Sequence, residues 1–181
     1  VANHSDRPEH LVDGNLETAW NGRTGYLNDS NVFFVRVPGG ATVDELRITA
    51  GYTRTTPRGD LFLQNHRVRR VRVSVSGTSG PVVTREFTLD VNRRDLQSFP
   101  LGTGGGSYEI RLLDLLPGTQ RNWREACVSE LQLVGRGSNP AWMVPEPLVV
   151  DVGVPQSIVH VAGPFASPQA ACTELQRERE R

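Results

Sequence analysis

An all-β, antiparallel sandwich of the jelly-roll type is the fold class this sequence predicts, and three observations predict it. From Val32 to Val134 apolar residues recur with period two, turn residues interrupt that pattern at short intervals, and no helical periodicity intervenes. Several short strands in a row with nothing helical between them bury one face each by closing sheet on sheet.

The strands follow in order. Phe33, Val35 and Val37 alternate with Phe34 and Arg36, and Leu46, Ile48 and Ala50 alternate with Arg47 and Thr49. Val71, Val73 and Val75 alternate with Arg72, Ser74 and Ser76, which describes a half-buried strand. Phe87, Leu89 and Val91, then Tyr108, Ile110 and Leu112, then Leu131 and Leu133 repeat the signal. Pro38-Gly39-Gly40, the stretch from Ser76 to Pro81, and Pro117-Gly118 read as the punctuation between them. The run from Gly102 to Gly106 reads as a flexible loop.

Residues 1–137 are thus expected to form the sandwich, and 138–181 a different texture. Six of the twelve prolines fall between Pro140 and Pro168, a density that breaks a strand ladder and suggests an extended strap. Ser167-Pro168 then reads as an N-cap and first helical position, opening a short helix toward Arg181. Such a helix either docks on the body or begins a further domain. The chain opens on Val1, as expected of a mature form or an excised fragment whose targeting peptide is not visible.

Composition narrows the function. The formal net charge is +0, so no overall field draws a nucleic-acid backbone or an anionic membrane. All the basic residues are Arg, which removes Schiff-base chemistry and the phosphate-binding lysine loop. No apolar run approaches the ~18 residues of a membrane-spanning helix. His4, His10, His66 and His160 have no zinc spacing, and no GxSxG nucleophile elbow occurs. The run Arg67-Val68-Arg69-Arg70-Val71-Arg72 places Arg70 and Arg72 on the face opposite Val71 and Val73, a solvated strand face rather than a nucleic-acid ladder. Cys127 and Cys172 are far apart in sequence; a disulfide, two buried thiols, or a partner elsewhere are all compatible with that spacing.

One N-terminal segment carries chemistry of its own. In Leu11-Val12-Asp13-Gly14-Asn15-Leu16-Glu17-Thr18-Ala19-Trp20, a carboxylate on a tight Asp-Gly turn precedes a Thr hydroxyl by five residues. Folded back, these oxygens and the turn carbonyls match what a hard cation such as calcium takes. The other reading is an Asx-turn over a packed Trp.

That segment resembles the N-terminal signature of discoidin-like (coagulation factor 5/8 type C) and related galactose-binding-like domains. More narrowly, Ala50-Gly51-Tyr52-Thr53-Arg54, then Gln64 to Arg69, then Leu116-Pro117-Gly118-Thr119 leading into Glu125 to Leu131, look like the glycan-binding translocation domain of secreted bacterial NAD-glycohydrolases and its relatives. The similarity runs from about His10 to Val134. Ala50 stands where those relatives tend to have Asn, and Glu125-Ala126 where they often have Asp-Thr, so the identity of the sugar does not transfer.

The resemblance implies a non-catalytic, extracytoplasmic carbohydrate-binding module of a larger secreted or surface protein. A protein-interaction domain using the same loop end, or the Pro-rich strap, is the alternative. Sugar recognition needs an aromatic ring and planar polar groups, and Tyr26, Tyr52, Arg54, Asn65, Arg67, Arg121 and Trp123 are of the right types. Arg67 is in register with Val71, Val73 and Val75, so it can equally point inward against a carboxylate; Asn65 shares that ambiguity. Trp123 either stacks on a sugar or plugs the core. For a structural calcium the resemblance brings together Asp13, Thr18 and Glu130, with a carbonyl such as that of Asn15; alternatively Glu130 only hydrogen-bonds the turn.

Overall fold

The computed structural model describes residues 8–22, 31–77, 81–123 and 125–136. Tyr26, Cys172 with its possible pairing to Cys127, and the strap and helix expected over 138–181 lie outside them.

A 3-10 turn at Pro8–Leu11 leads into strand β1 (Trp20–Gly22). Then come β2 (Val32–Ile48), the short hairpin β3 (Thr55–Thr56) and β4 (Gly59–Asp60), the single-turn helix α1 (Leu61–Gln64), and β5 (Arg67–Gly77). β6 (Val83–Thr88), β7 (Gln97–Leu116), β8 (Ala126–Val128) and β9 (Leu131–Arg136) complete the order. The main sheet runs β6-β5-β7-β2-β9, with every neighbouring pair antiparallel, and β1 pairs β8 in a separate ladder. This is the antiparallel sandwich that the period-two pattern predicts.

Register explains the core. Val73 and Phe33 both pair Ile110, and Val75 and Val35 both pair Tyr108, so buried side chains form rows across β5, β7 and β2. Leu11, Val12, Trp20, Ala126 and Val128 join the same cluster from the other layer. The Trp20 ring meets Phe33 edge-on at 4.9 Å between centroids, locking β1 onto the sheet. The outward face is charged: Arg72 pairs Glu86 at 2.7 Å, and Arg69 pairs Asp114 at 2.8 Å.

Three sequence expectations change. Pro38-Gly39-Gly40 does not end a strand; it lies inside β2, whose register shifts between Val37 and Thr42 and again between Val43 and Glu45. Those bulges move the buried phase from odd positions (Phe33, Val35, Val37, Val43) to even ones (Leu46, Ile48), which made one strand look like two. Gly102 to Gly106 is no loop either: Gly104 and Gly106 pair β2 residues within β7. A Cβ at Gly106 would meet the Ser76 carbonyl at 2.4 Å, so glycine serves close strand approach there. Finally, β6 spans Val83–Thr88 rather than Phe87 to Val91, because Val91 belongs to the following turn.

Candidate functional site

The hub of one end of the sandwich is α1, four residues long and capped by side chains at both ends. Asp60 is its N-cap, accepting from the Phe62 N–H at 3.1 Å. Asn65 closes the other end, its backbone N–H and its side-chain amide donating to the Leu61 carbonyl at 3.0 and 2.9 Å. Three segments converge on this turn. From the hairpin side, the Leu61 N–H donates to the Arg54 carbonyl at 3.1 Å. From the 90–96 turn, Arg94 grips the Asp60 carboxylate with two nitrogens, one at 2.9 Å, and its guanidinium lies 4.9 Å from the Phe62 ring centroid. That Arg94 hydrogen bond is the main reason the Asp60 carboxyl is held below its ordinary range. From the 117–123 loop, Thr119 and Gln120 N–H groups donate to the Leu63 and Gln64 carbonyls at 2.9 and 3.2 Å. Pro117-Gly118 is more than a turn signal, because a Cβ on Gly118 would stand 2.1 Å from the Gln64 carbonyl oxygen.

The structure separates the predicted ligand residues into two groups. Arg54, Arg121 and Trp123 are exposed on these segments, with Trp123 retaining 40% of its accessible surface, so it is not a core plug. Tyr52, Asn65 and Arg67 are buried beneath them. Tyr52 is 8% exposed, packs with Ala19, Cys127 and Leu61, and donates its hydroxyl to the Glu17 carbonyl at 3.3 Å. Arg67, also 8% exposed, donates to the Val91 carbonyl at 2.9 Å and stacks 5.4 Å from the Phe62 centroid. The inward direction expected from its register is present, but the partner is a carbonyl and a ring instead of a carboxylate. Phe62 therefore lies against the guanidinium groups of both Arg67 and Arg94, which ties β5, α1 and the 90–96 turn together.

The Asp-Gly turn lies beside this end. Asp13 accepts from the Asn15 N–H at 2.9 Å and from the Thr18 hydroxyl at 2.7 Å, the geometry of an Asx-turn. The Thr18 hydroxyl is also 2.8 Å from the Asn15 carbonyl, and Glu130 accepts the Gly14 N–H at 2.9 Å. Tyr52, Thr53 and Ser129 bond the Leu16 and Glu17 carbonyls, so the turn and the loop end share one framework. Glu130 is 1% exposed; burial, with a smaller push from the Asp13 charge, raises its carboxyl to about 7. Two carboxylates, a hydroxyl and a carbonyl form a hard-oxygen donor set, and the buried Glu130 lacks an arginine partner among the described residues. Each of these carboxylate oxygens already accepts a hydrogen bond, Glu130 also from the Gln132 side-chain amide at 3.3 Å, so the arrangement described is an Asx-turn braced by a buried carboxyl. Among the described residues no group of three or more His, Cys, Asp or Glu converges.

No family model matches the sequence, and no curated protein matches it. Solved structures do. A fragment of a Bacteroides thetaiotaomicron protein provisionally assigned as a chitobiase aligns with a TM-score of 0.53 at 13% identity, over 76% of this chain and 80% of that one. CBM32-3, a carbohydrate-binding module of a family 31 glycoside hydrolase from Clostridium perfringens, aligns at 0.49 with 16% identity, over 72% and 82%. An F5/8 type C domain of a Bacteroides fragilis protein gives 0.48 and 15%, over 73% and 82%. The first of these alignments shows the fold they share, an antiparallel β-sandwich.

At this end of the sandwich, sequence reasoning missed Asp60, Phe62, Leu63 and Arg94. Leu63 is 43% exposed beside the 117–123 loop, an apolar surface no alternation pattern marks. The available signal was Asp60 immediately before Leu61-Phe62-Leu63, an N-cap residue preceding an apolar run.

Proposed function

We propose that this chain is a non-catalytic glycan-binding module that holds its ligand at the α1 loop end. One observation carries the reading: Arg54, Arg121 and Trp123 stand exposed on segments that are each hydrogen-bonded to α1. A ring face and planar donors on a rigid base match what a sugar offers, apolar C–H faces flanked by paired hydroxyls. Support also comes from the three sequence stretches that resemble the glycan-binding translocation domains of bacterial NAD-glycohydrolases, a resemblance that suggests the narrower kinship and an extracytoplasmic setting within a larger protein. Among the described residues no helix is long and apolar enough to cross a membrane.

In the same proposal, calcium held by Asp13, the Asn15 carbonyl, Thr18 and Glu130 is structural. When bound it supplies the positive charge that the buried Glu130 lacks. It thereby stiffens the turn that carries the Leu16 and Glu17 carbonyls under Tyr52 and Thr53.

A glycan array probed with the 181-residue chain tests the function. Selective retention on a subset of glycans, lost in Trp123→Ala, is the expected result. A blank array overturns the proposal and favours a protein partner at the same loop end.

A further inference from the structure

The arginines of this lysine-free chain are distributed unevenly in their pairing. On the main sheet, Arg47, Arg69, Arg70, Arg72, Arg111 and Arg136 each meet a carboxylate within 4.0 Å, and Arg36 and Arg85 are the exposed exceptions among the described residues. At the loop end the pattern reverses. Arg54 and Arg58 on the hairpin side, Arg93 beside the Arg94 anchor, and Arg121 next to Trp123 are all exposed, and no ion pair engages them among the described residues. The acids there do not answer them. Asp60 is occupied by Arg94, and Asp90 accepts the Asn92 N–H at 2.9 Å. Asp95 is the remaining carboxylate on these segments. On these three segments five arginines (Arg54, Arg58, Arg93, Arg94, Arg121) stand against three aspartates, with Asp13 and Glu17 on the neighbouring Asp-Gly turn, in a chain whose formal net charge is +0.

Exposed guanidinium groups in such company have a use in carbohydrate recognition. A neutral sugar needs acceptors as well as donors, because each hydroxyl both gives and takes a hydrogen bond. Arginine only donates, and its fork matches a carboxylate or sulfate oxygen pair. The geometry points to an anionic glycan, one bearing carboxylate or sulfate groups, as the ligand of this loop end. Its charged groups pair with Arg121 and with Arg54, Arg58 or Arg93, while an apolar sugar face rests on Trp123, with Leu63 available on α1. The inference rests on the glycan-binding function proposed above and names the class of glycan. A nucleic acid would bring charge too, but successive bases need successive rings, and Trp123 is the one strongly exposed aromatic ring on these segments among the described residues.

The test is calorimetric titration of the 181-residue chain with matched oligosaccharide pairs: an oligogalacturonate and its carboxyl-reduced form, a sulfated galactan fragment and its desulfated form. A glycan array carrying neutral, uronate and sulfated members is run beside it. At least one acidic member should bind about tenfold or more tightly than its neutral counterpart, and the preference should shrink with added salt. The uronate and sulfate arms tell which group supplies the charge. Arg121→Gln and Arg54→Gln should each weaken the acidic ligand by roughly threefold to tenfold with an unchanged melting curve, whereas Trp123→Ala should weaken acidic and neutral forms alike. Equal or better binding of the neutral forms overturns the anionic assignment and leaves glycan binding standing. Failure to bind any glycan overturns both. Equal binding of a single-stranded oligonucleotide makes the site a general polyanion surface and also overturns the assignment.

Discussion

Replacing Gly118 by Ala should detach the 117–123 loop from α1 while leaving the sandwich folded. The added Cβ would lie 2.1 Å from the Gln64 carbonyl oxygen and 2.4 Å from that of Asn65. Both obstacles are backbone, and neither can rotate aside as a side chain would, so the loop must retreat by about 1 Å to reach ordinary contact. That retreat breaks the Thr119 and Gln120 N–H bonds to the Leu63 and Gln64 carbonyls. At ~0.5–1.5 kcal/mol net for each bond, the cost is about 1–3 kcal/mol. For a domain of this size it lowers Tm by roughly 3–15 °C if the loop opens only with the whole domain, and by less if the loop opens alone. Hydrogen exchange reads the event directly: the Thr119 and Gln120 amides should lose protection while those of β5 and β7 keep theirs. Gly39→Ala is the control, since nothing lies within 4 Å of a Cβ there. Glycan affinity should fall in Gly118→Ala, because Arg121 and Trp123 ride on the displaced loop. Unaltered exchange at Thr119 and Gln120, with unaltered Tm, would refute the claim that these carbonyls seat the loop.

Trp123→Ala should weaken glycan binding by on the order of 1–3 kcal/mol, by analogy with aromatic stacking on bases, and lower stability by less than the ~3–5 kcal/mol of a core Trp; an unfolded variant in circular dichroism contradicts this. Calcium at about 100 times its Kd should stabilise the metal-stripped protein by ~2.7 kcal/mol in a thermal melt. Glu130→Gln keeps an acceptor for the Gly14 N–H but drops the charge, so it should abolish that shift; no response of the parent protein to millimolar calcium rejects the site. Asp60 has its folded pKa below 3.8, so its pairing with Arg94 stabilises the protein above that value and is lost as pH falls through the folded pKa. The Tm difference between parent and Asp60→Asn should therefore be constant near neutrality and shrink as the pH falls below 3.8; the pair is largely solvent-exposed, so the difference is small at any pH, and a gap that widens on acidification would reverse the sign argued here.

Much of the sandwich was legible because burial of one sheet face imposes a period of two whatever the rest of the fold does. Phe33, Val35, Val71, Val73, Ile110 and Leu133 all point inward as their spacing requires. What the sequence hid was anything that breaks phase or depends on distant carbonyls. The β2 bulges made a seventeen-residue strand look like two, and the glycines of β7 looked like a loop because nothing local says that another backbone lies against them. The site was half legible. Residue types marked Arg54, Arg121 and Trp123, but Tyr52 and Asn65 are drawn under the surface by hydrogen bonds to Glu17 and Leu61, which no residue count reveals. A single-turn helix such as α1 is too short to show any period and is recognisable only by its cap. The pairing state of each arginine, on which the choice of ligand class turns, depends on cross-strand register and exists only in three dimensions.

The β1–β8 ladder joins residues about a hundred positions apart: Trp20 faces Val128, and the Gly14 N–H reaches Glu130. During synthesis, the partner of β1 therefore leaves the ribosome about a hundred residues after it. Until then the N-terminal turn has no seat, and the inner faces of β2, β5 and β7 stay uncovered beneath it. Closure is a late, single event with a large loop to organise, which favours slow folding and leaves a long interval in which apolar strands are available to neighbours. Once shut, the same seam works as a clasp. Pulling on the N-terminal end of the described domain loads the Gly14–Glu130 bond and then β1 against β8, before the main sheet, and a cation bound as proposed would rivet that seam.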